Sequence, residues 1–539
     1  MFRQIVIVIA VMVATLIFGC GSSRADAQTT RSFATDIATD FPAEHLLPNS
    51  VVKALQAANI SDNAIGVVVT RLADGVTVVS HGADASLAPA STMKLVTTFI
   101  GLERLGPIYL GRTELLSLAA PMDGALKGDL VLRGLGDADL DWQAFQNMLQ
   151  TLRNKGIQDI QGNLVVDRQL FKPSRLDINV PPFDEAPEFR YNVIPDALMI
   201  NMNLLQFALE SDGSSLRIAT TPSLDRVTVV SNMKLVDGPC NKWEDGWLLP
   251  TQTPPLSSVD RQLDGSIQIQ LQGTFPKNCA ITTDINILDR ALYTDRLFRS
   301  LWAKLGGTYQ GVTRETAVAA NAGEQLLATH RSRPLAEVLR DINKPSDNTL
   351  ARMLYLTLGT LPPELRQRQR NDSGRGDEPT LTASAQEVYA WFERHGISRA
   401  GLVMENGSGL SRLERIRPSQ LAGILIAANQ SAWAPEFLAS LPIVGIDGTM
   451  RNRLRDTPAA GWARIKTGTL KNVAAIAGYV PDAKGQMCAV VAIVNHPLAS
   501  GALARPIMDA MIDWVVRTDT RRERARDVAG DWFIEQMKM

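Results

Sequence analysis

The chain has little cysteine, four residues in 539, and little histidine, five residues. The histidines (His45, His81, His330, His395 and His496) form no His-Glu-x-x-His or similar array, so zinc-peptidase chemistry has no ligand set to rest on. Net charge is nearly absent too. The 55 basic residues against 56 acidic ones leave −1, and no basic run stands out, which argues against nucleic acid as the main partner. There is no tandem repeat and no extended low-complexity segment. A nucleophile elbow is lacking as well, because Gly407-Ser408-Gly409 has not the flanking pattern of one. What remains is an ordinary globular composition, 45% hydrophobic and 21% charged, with length for roughly three to four domain-sized units.

The first 27 residues read as a targeting segment. Arg3 supplies a short positive region, and the apolar run Ile5 to Phe18 is too short for a comfortable membrane span. Ala25-Asp26-Ala27 fits cleavage before Gln28 and release of an exported enzyme into the periplasm, the favoured outcome. Ile17-Phe18-Gly19-Cys20 fits a lipoprotein site despite the bulk of Phe18, so membrane association through a lipid on Cys20 stays open. The other cysteines agree with export. Cys240 and Cys279 both lie in loop-like settings of one region and are expected to pair in an oxidising compartment, whereas Cys488, within the apolar strand Met487 to Val494, reads as a small buried residue.

The organising stretch is Ala88-Pro89-Ala90-Ser91-Thr92-Met93-Lys94. Apolar residues at Met93, Leu95, Val96, Ile100, Leu102 and Leu105 predict a partly buried helix beginning here. Residues three apart share a helical face, so the Ser91 hydroxyl and the Lys94 amine can meet. An amine kept neutral by burial could take the serine proton, giving an activated serine without histidine. Taken singly, Ser-x-x-Lys is equally an N-cap followed by a solvent-facing lysine.

Two further elements follow in order. Ser346-Asp347-Asn348 opens an apolar, helix-like run from Thr349 to Leu358, and Lys466-Thr467-Gly468 stands in strand-like Ala463 to Thr469. Together the three match the serine acyl-transferase set of penicillin-binding proteins and serine β-lactamases. Strand-like segments Ala64 to Thr70, Val76 to Ser80, Ala474 to Val480 and Met487 to Val494 predict one antiparallel sheet closed from both ends of the chain. Helices at Leu335 to Ile342, Ser384 to His395, Pro418 to Ala428 and Pro435 to Leu441 would cover it, giving a mixed α/β (α+β), multidomain fold. Between Ser91 and Ser346 the texture changes, from about Glu114 to Ala320, to short β-rich runs such as Gly128 to Gly134, Gly162 to Asp167, Arg226 to Val230 and Ser266 to Leu271. Something is inserted there. The segment Thr29 to Ala58 reads as surface helix and turns, Arg366 to Glu378 as a polar surface loop, and Arg521 to Met539 as a terminal helix that docks or touches a membrane surface.

On these triplets, and on Gly134-Leu135-Gly136-Asp137, Tyr191-Asn192 with Pro195, and Asn406-Gly407-Ser408-Gly409-Leu410-Ser411-Arg412, the chain resembles the penicillin-binding-protein-4-type D-alanyl-D-alanine carboxypeptidases/endopeptidases. These are class C low-molecular-mass penicillin-binding proteins, and the likeness covers nearly all of the mature chain. It implies a β-lactamase/transpeptidase-like catalytic domain, 28–113 and 321–539, interrupted by accessory domains, two of them nested, at 114–320. Asn406 stands where the family usually has aspartate, and Ala138 where proline is common. The resemblance implies peptidoglycan peptides as substrates, β-lactams as covalent inhibitors, and no cofactor or metal.

The residue types then suggest roles. Ser91 would attack the carbonyl between two terminal D-alanines or at a crosslink, Lys94 would take its proton, and Ser346 would relay a proton toward the leaving amine. Which of Lys94 and Ser346 handles which proton stays open. Asn348 would orient Lys94 and the substrate amide, and Lys466 and Thr467 would hold the substrate carboxylate, with Gly468 leaving the strand approachable. The amides of Ser91 and Thr469 would form an oxyanion hole. A β-lactamase sharing the triplets, and a silent peptidoglycan-binding scaffold, are the competing readings.

Overall fold

The computed structural model describes residues 47–248, 259–261, 265–318, 324–362, 378–499 and 501–522. The leader with Cys20, nearly all of the 366–378 stretch and the tail from 523 lie outside the described residues, as do 29–46. Among the described residues no helix is long and apolar enough to cross a membrane.

The chain ends build a five-stranded antiparallel sheet in the order Arg464–Leu470, Val473–Pro481, Met487–Asn495, Ile65–Arg71, Thr77–His81. Ile65–Arg71 pairs along its whole length with Met487–Asn495, so the early strand and a late one share a sheet as the sequence predicts. The inner strands read as unbroken apolar runs because both faces are covered. Side chains alternate across a strand, and the two faces enter different cores. Ala475, Ala477, Tyr479, Val491 and Ile493 pack under the Lys94–Leu105 and Pro418–Gln430 helices. Ile476, Val480, Val490, Ala492 and Val494 pack under the Asn49–Ala57 and Gly501–Arg517 helices.

The Lys94–Leu105 helix is buried over its first nine residues, Lys94 to Gly101 and Leu102 included. It packs on Asn348–Leu358, itself buried on every side, so the two helices that follow the serine triplets form the inner layer rather than a solvent-facing one. One expectation shifts. The helix predicted from Thr92 begins at Lys94, and Ala90–Met93 form a 3₁₀ turn in front of it. The Pro89 carbonyl accepts from both the Thr92 amide and its hydroxyl, closing an i to i+3 ring that tightens the chain there.

The intervening chain leaves and returns at one point, where Arg112–Ser117 pairs antiparallel with Gln325–Arg331. Its larger sheet runs Thr313–Glu315, Leu164–Asp167, Leu130–Leu135, Arg112–Ser117, Gln325–Arg331. A second five-stranded sheet is built around Ile267–Pro276, and a three-stranded one carries Leu205–Ser211. The sequence reading of this region as β-rich overlooks two helices, Trp142–Asn154 and Arg290–Lys304, each capped by an aspartate, Asp141 and Asp289. A disulfide joins Cys240 to Cys279 across 39 positions, fixing the turn that carries Trp243 and Trp247, whose rings meet edge to face at 5.4 Å. Cys488 is a free thiol, fully buried, and burial pushes it up to about 12. Closing a loop of this length restricts the unfolded chain by about 3–4 kcal/mol. Cys240→Ser is therefore expected to lower the melting temperature by several degrees and to make it insensitive to reductant; a melt that reductant does not move in the wild type would count against it.

Candidate active site

Each predicted triplet is delivered by a different local device. The 3₁₀ turn sets Ser91 and Lys94 three residues apart, the spacing at which side chains of such a turn line up. Ala90, just before the serine, has φ 47° and is buried. Backbone from two other segments closes on this turn. A Cβ at Gly409 would lie 1.9 Å from the Ala90 carbonyl oxygen, and one at Gly468 would lie 2.8 Å from that of Pro89 and 3.0 Å from the Ser91 amide nitrogen. Both positions thus require glycine, and the second puts the Lys-Thr-Gly strand beside the Ser91 amide. That strand, Arg464–Leu470, is at the end of the sheet order, so its outer rim runs along the turn.

Ser346 also holds a left-handed backbone, φ 68°, a conformation that costs a non-glycine residue and is kept where surrounding structure enforces it. Asp347, not Ser346, caps the Asn348–Leu358 helix, its carboxylate accepting from the Leu350 amide at 2.9 Å and pairing with Arg190 at 3.1 Å. That cap points Asn348 inward.

Lys94 is fully buried. Its Nζ lies 3.0 Å from Ser91 Oγ and 2.6 Å from Asn348 Oδ1, and it hydrogen-bonds the Ser408 carbonyl. Burial pushes the amine down to about 7, with Asp347 and Glu414 pulling it up and Arg352 pushing it further down. The neighbours then decide its direction. A neutral amine carries two N–H groups and one lone pair. Asn348 Oδ1 and the Ser408 oxygen can only accept, so they take both hydrogens and leave the lone pair for the Ser91 hydroxyl. The amide of Asn348 is oriented independently, because its Nδ2 donates at 3.0 Å to the Tyr191 carbonyl.

The second lysine, Lys466, is fully buried as well. Its Nζ meets Ser346 Oγ and the Thr467 carbonyl, both at 2.8 Å. Burial first, and the Lys94 charge second, hold it well below an ordinary lysine. Among the described residues no acid is in hydrogen-bond contact with either buried amine, so the site gains from an incoming anion. Thr467 Oγ1 bonds Thr449 Oγ1 at 2.8 Å, and Thr469 is exposed further along the same strand. All eight predicted site positions therefore fall on three adjoining segments, with one difference of detail. Ser346 joins Lys466 rather than Lys94 or Ser91, so the hydroxyls occupy two halves of the centre, each with its own lysine.

Sequence reasoning missed the Ser408 carbonyl, the Tyr191 carbonyl, Thr449 and Glu414. The first two lie within stretches that carry the family resemblance, and a backbone oxygen leaves no signal in residue type. Asn406 explains itself here. Its Oδ1 accepts from the Ser408 amide and hydroxyl while its Nδ2 donates to the Leu410 carbonyl at 2.9 Å, a donation aspartate could not make.

Comparison with known proteins gives a consistent result. The model of the family described as D-Ala-D-Ala carboxypeptidase 3 (S13) matches residues 47–518. A D-alanyl-D-alanine carboxypeptidase of Actinomadura sp. (strain R39) is 28% identical over 453 residues, 83% of this chain and 80% of that protein. The D-alanyl-D-alanine carboxypeptidase DacB of Haemophilus influenzae is 24% identical over 457 residues, 83% of this chain and 86% of that protein. The crystal structure of penicillin binding protein 4 (dacB) from Haemophilus influenzae superposes with a TM-score of 0.69 at 21% identity, covering 88% of this chain and 100% of the other.

Proposed function

The chain belongs to the D-Ala-D-Ala carboxypeptidase 3 (S13) family, and from that premise we propose that it is a serine D-alanyl-D-alanine carboxypeptidase/endopeptidase that cleaves peptidoglycan stem peptides and crosslinks through an acyl-enzyme on Ser91. The observation that carries the reading is the buried Lys94 Nζ 3.0 Å from Ser91 Oγ, with its other two partners, Asn348 Oδ1 and the Ser408 carbonyl, both acceptors.

In the proposed sequence Ser91 Oγ bonds to the carbonyl carbon of the penultimate D-alanine while its proton passes to Lys94 Nζ. The amides of Ser91 and Thr469 receive the developing oxyanion, each donor typically contributing roughly 3 kcal/mol to the transition state. The C–N bond then breaks, and the departing amine takes a proton from the Ser346 hydroxyl, which the protonated Lys94 replaces once the substrate bridges the two halves of the centre, leaving an ester on Ser91. Water attacks that ester and passes its proton through Lys94 to Ser91 Oγ, so the acyl C–Oγ bond breaks, the hydroxyl is restored and the shortened peptide leaves as its acid. Lys466 with Thr467 binds the terminal carboxylate, whose charge favours the ammonium form of Lys466. Asn348 has one Nδ2 hydrogen left for the substrate amide after its bond to Tyr191.

The roles of inserted region 114–320 and of the leader belong to the same proposal. The insertion borders the centre, since Arg190 pairs with Asp347 and the Tyr191 carbonyl holds Asn348. The leader exports the enzyme to the periplasm and is cleaved before Gln28, with lipidation on Cys20 as the alternative to that cleavage. A β-lactam would acylate Ser91 as a peptide does; a penicillin binding protein 4 of Haemophilus influenzae has been crystallised with a β-lactam, which supports that reading.

The test is release of D-alanine from a synthetic stem pentapeptide and of monomers from a purified crosslinked dimer, alongside the lifetime of the penicillin adduct. Free D-alanine with an adduct lasting minutes is expected. An adduct released as product in seconds would assign a β-lactamase, and no release with no adduct would assign a silent scaffold.

A further inference from the structure

The Lys94 amine is fixed by two carbonyl oxygens, and only one of them belongs to a predicted motif. The other, Ser408 O, sits in a tight turn that has no regular secondary structure of its own to hold it. One side chain gathers most of its backbone amides. Glu414 is 1% exposed, and its carboxylate accepts four backbone amides of that turn. Oε1 takes Glu405 at 3.2 Å, Asn406 at 2.9 Å and Gly407 at 2.7 Å, and Oε2 takes Gly409 at 2.8 Å. Four of the five consecutive amides from 405 to 409 thus converge on one acid. The fifth, Ser408, is turned to the Asn406 side chain at 3.0 Å, which leaves the Ser408 carbonyl facing the lysine. The Lys94 helix grips the same turn through Thr97 Oγ1, which donates to the Gly407 carbonyl at 2.6 Å.

We propose that Glu414 is a positioning residue of this centre: by tying the Glu405–Gly409 turn it keeps the Ser408 carbonyl on Lys94 and so aims the amine's lone pair at Ser91. The inference rests on the proposed function, in which that lone pair accepts the serine proton. Without the Ser408 acceptor one N–H of Lys94 is unpaired in a buried setting, and the amine turns toward other oxygens, Ser91 Oγ included, as a donor. The serine then meets a hydrogen where it needs a lone pair.

Glu414 also acts through its charge. The charged groups facing Lys94 are Asp347 from the Asn348 helix cap, Glu414 from the turn, Arg352 from the Asn348–Leu358 helix and Lys466 from the edge strand. Asp347 and Glu414 favour the ammonium, and Arg352 and Lys466 oppose it. Burial pushes the Glu414 carboxyl up and the four amides pull it back, and Arg352, buried with its Nη2 on the Leu410 carbonyl, lies near enough for the two charges to act on each other. Removing the acid's charge therefore lowers the proton affinity of Lys94.

The experiment follows Ser91 acylation by a chromogenic penicillin as a function of pH in the wild type, Glu414→Gln and Glu414→Asp, with thermal melts on each. Glutamine keeps the size and one acceptor but points an NH₂ at the Gly409 amide and carries no charge; aspartate keeps the charge and shortens the reach. For Glu414→Gln the limiting acylation rate is expected to fall by about tenfold or more, the scale of a misplaced reacting group, with the apparent affinity for the penicillin little changed and the acid-side midpoint displaced to lower pH. For Glu414→Asp the rate falls while the midpoint stays. A folded Glu414→Gln protein with wild-type rate and midpoint overturns the proposal. If the glutamine variant does not fold, Glu414→Asp decides, and a wild-type rate in it overturns the proposal too. A wild type that is not acylated on Ser91 would instead overturn the proposed function beneath it.

Discussion

Ser91→Ala is expected to abolish covalent labelling by penicillin and to cut D-alanine release by about 10⁴-fold or more, the size of effect seen when a nucleophile acting with its base is removed. The substitution deletes one oxygen from a half-buried position and leaves the Asn348 and Ser408 partners of Lys94 in place, so the fold should persist. Intact-protein mass spectrometry reads the adduct and a melt reads the fold. Peptide mapping locates the ester in the wild type. An adduct retained in Ser91→Ala, or mapped to Ser346 or Ser408, would move the nucleophile elsewhere and end the assignment.

The second large effect belongs to Lys94. Its amine, depressed to about 7 by burial, carries the proton below that pH and offers a lone pair above it. Acylation of the wild type should therefore rise by about tenfold per pH unit on the acid side and level off above a midpoint near 7. The direction follows from the form required: a base acts deprotonated, so activity is lost as pH falls. Lys94→Met keeps the volume and removes the amine. It is expected to lower acylation by about 10²–10⁴-fold, the usual worth of a positioned base, and to erase the acid limb. A wild-type profile flat between about pH 5 and 8 would show that Lys94 is not the titrating base.

Legibility differed from element to element, for reasons visible in particular residues. The sheet strands were readable because both faces of Val473–Pro481 and Met487–Asn495 are buried, which writes continuous apolar runs into the sequence. The Trp142–Asn154 helix was legible and overlooked: Phe145, Met148, Leu149 and Leu152 are its buried face at helical spacing. The helix start at Lys94 was misjudged because the 3₁₀ turn before it is made by a Pro89 carbonyl and a threonine hydroxyl, a closure that apolar periodicity does not register. At the site, the side-chain groups were found from their motifs, whereas Glu414 stood in an unremarkable Arg412-Leu413-Glu414-Arg415 run. Nothing local marks such an acid as buried.

By itself the sequence determined the chemistry available: a serine with an amine three residues on, a Ser-Asp-Asn cap and a Lys-Thr-Gly strand, in an order and context that few proteins share. Residue type and short spacing carry that information because they fix which groups can meet on one turn. The tertiary structure alone decided which way the amine faces. That depends on Asn348 and on the Ser408 carbonyl, 254 and 314 positions away along the chain, and the direction of a lone pair is set by the partners that fill the other sites around the nitrogen.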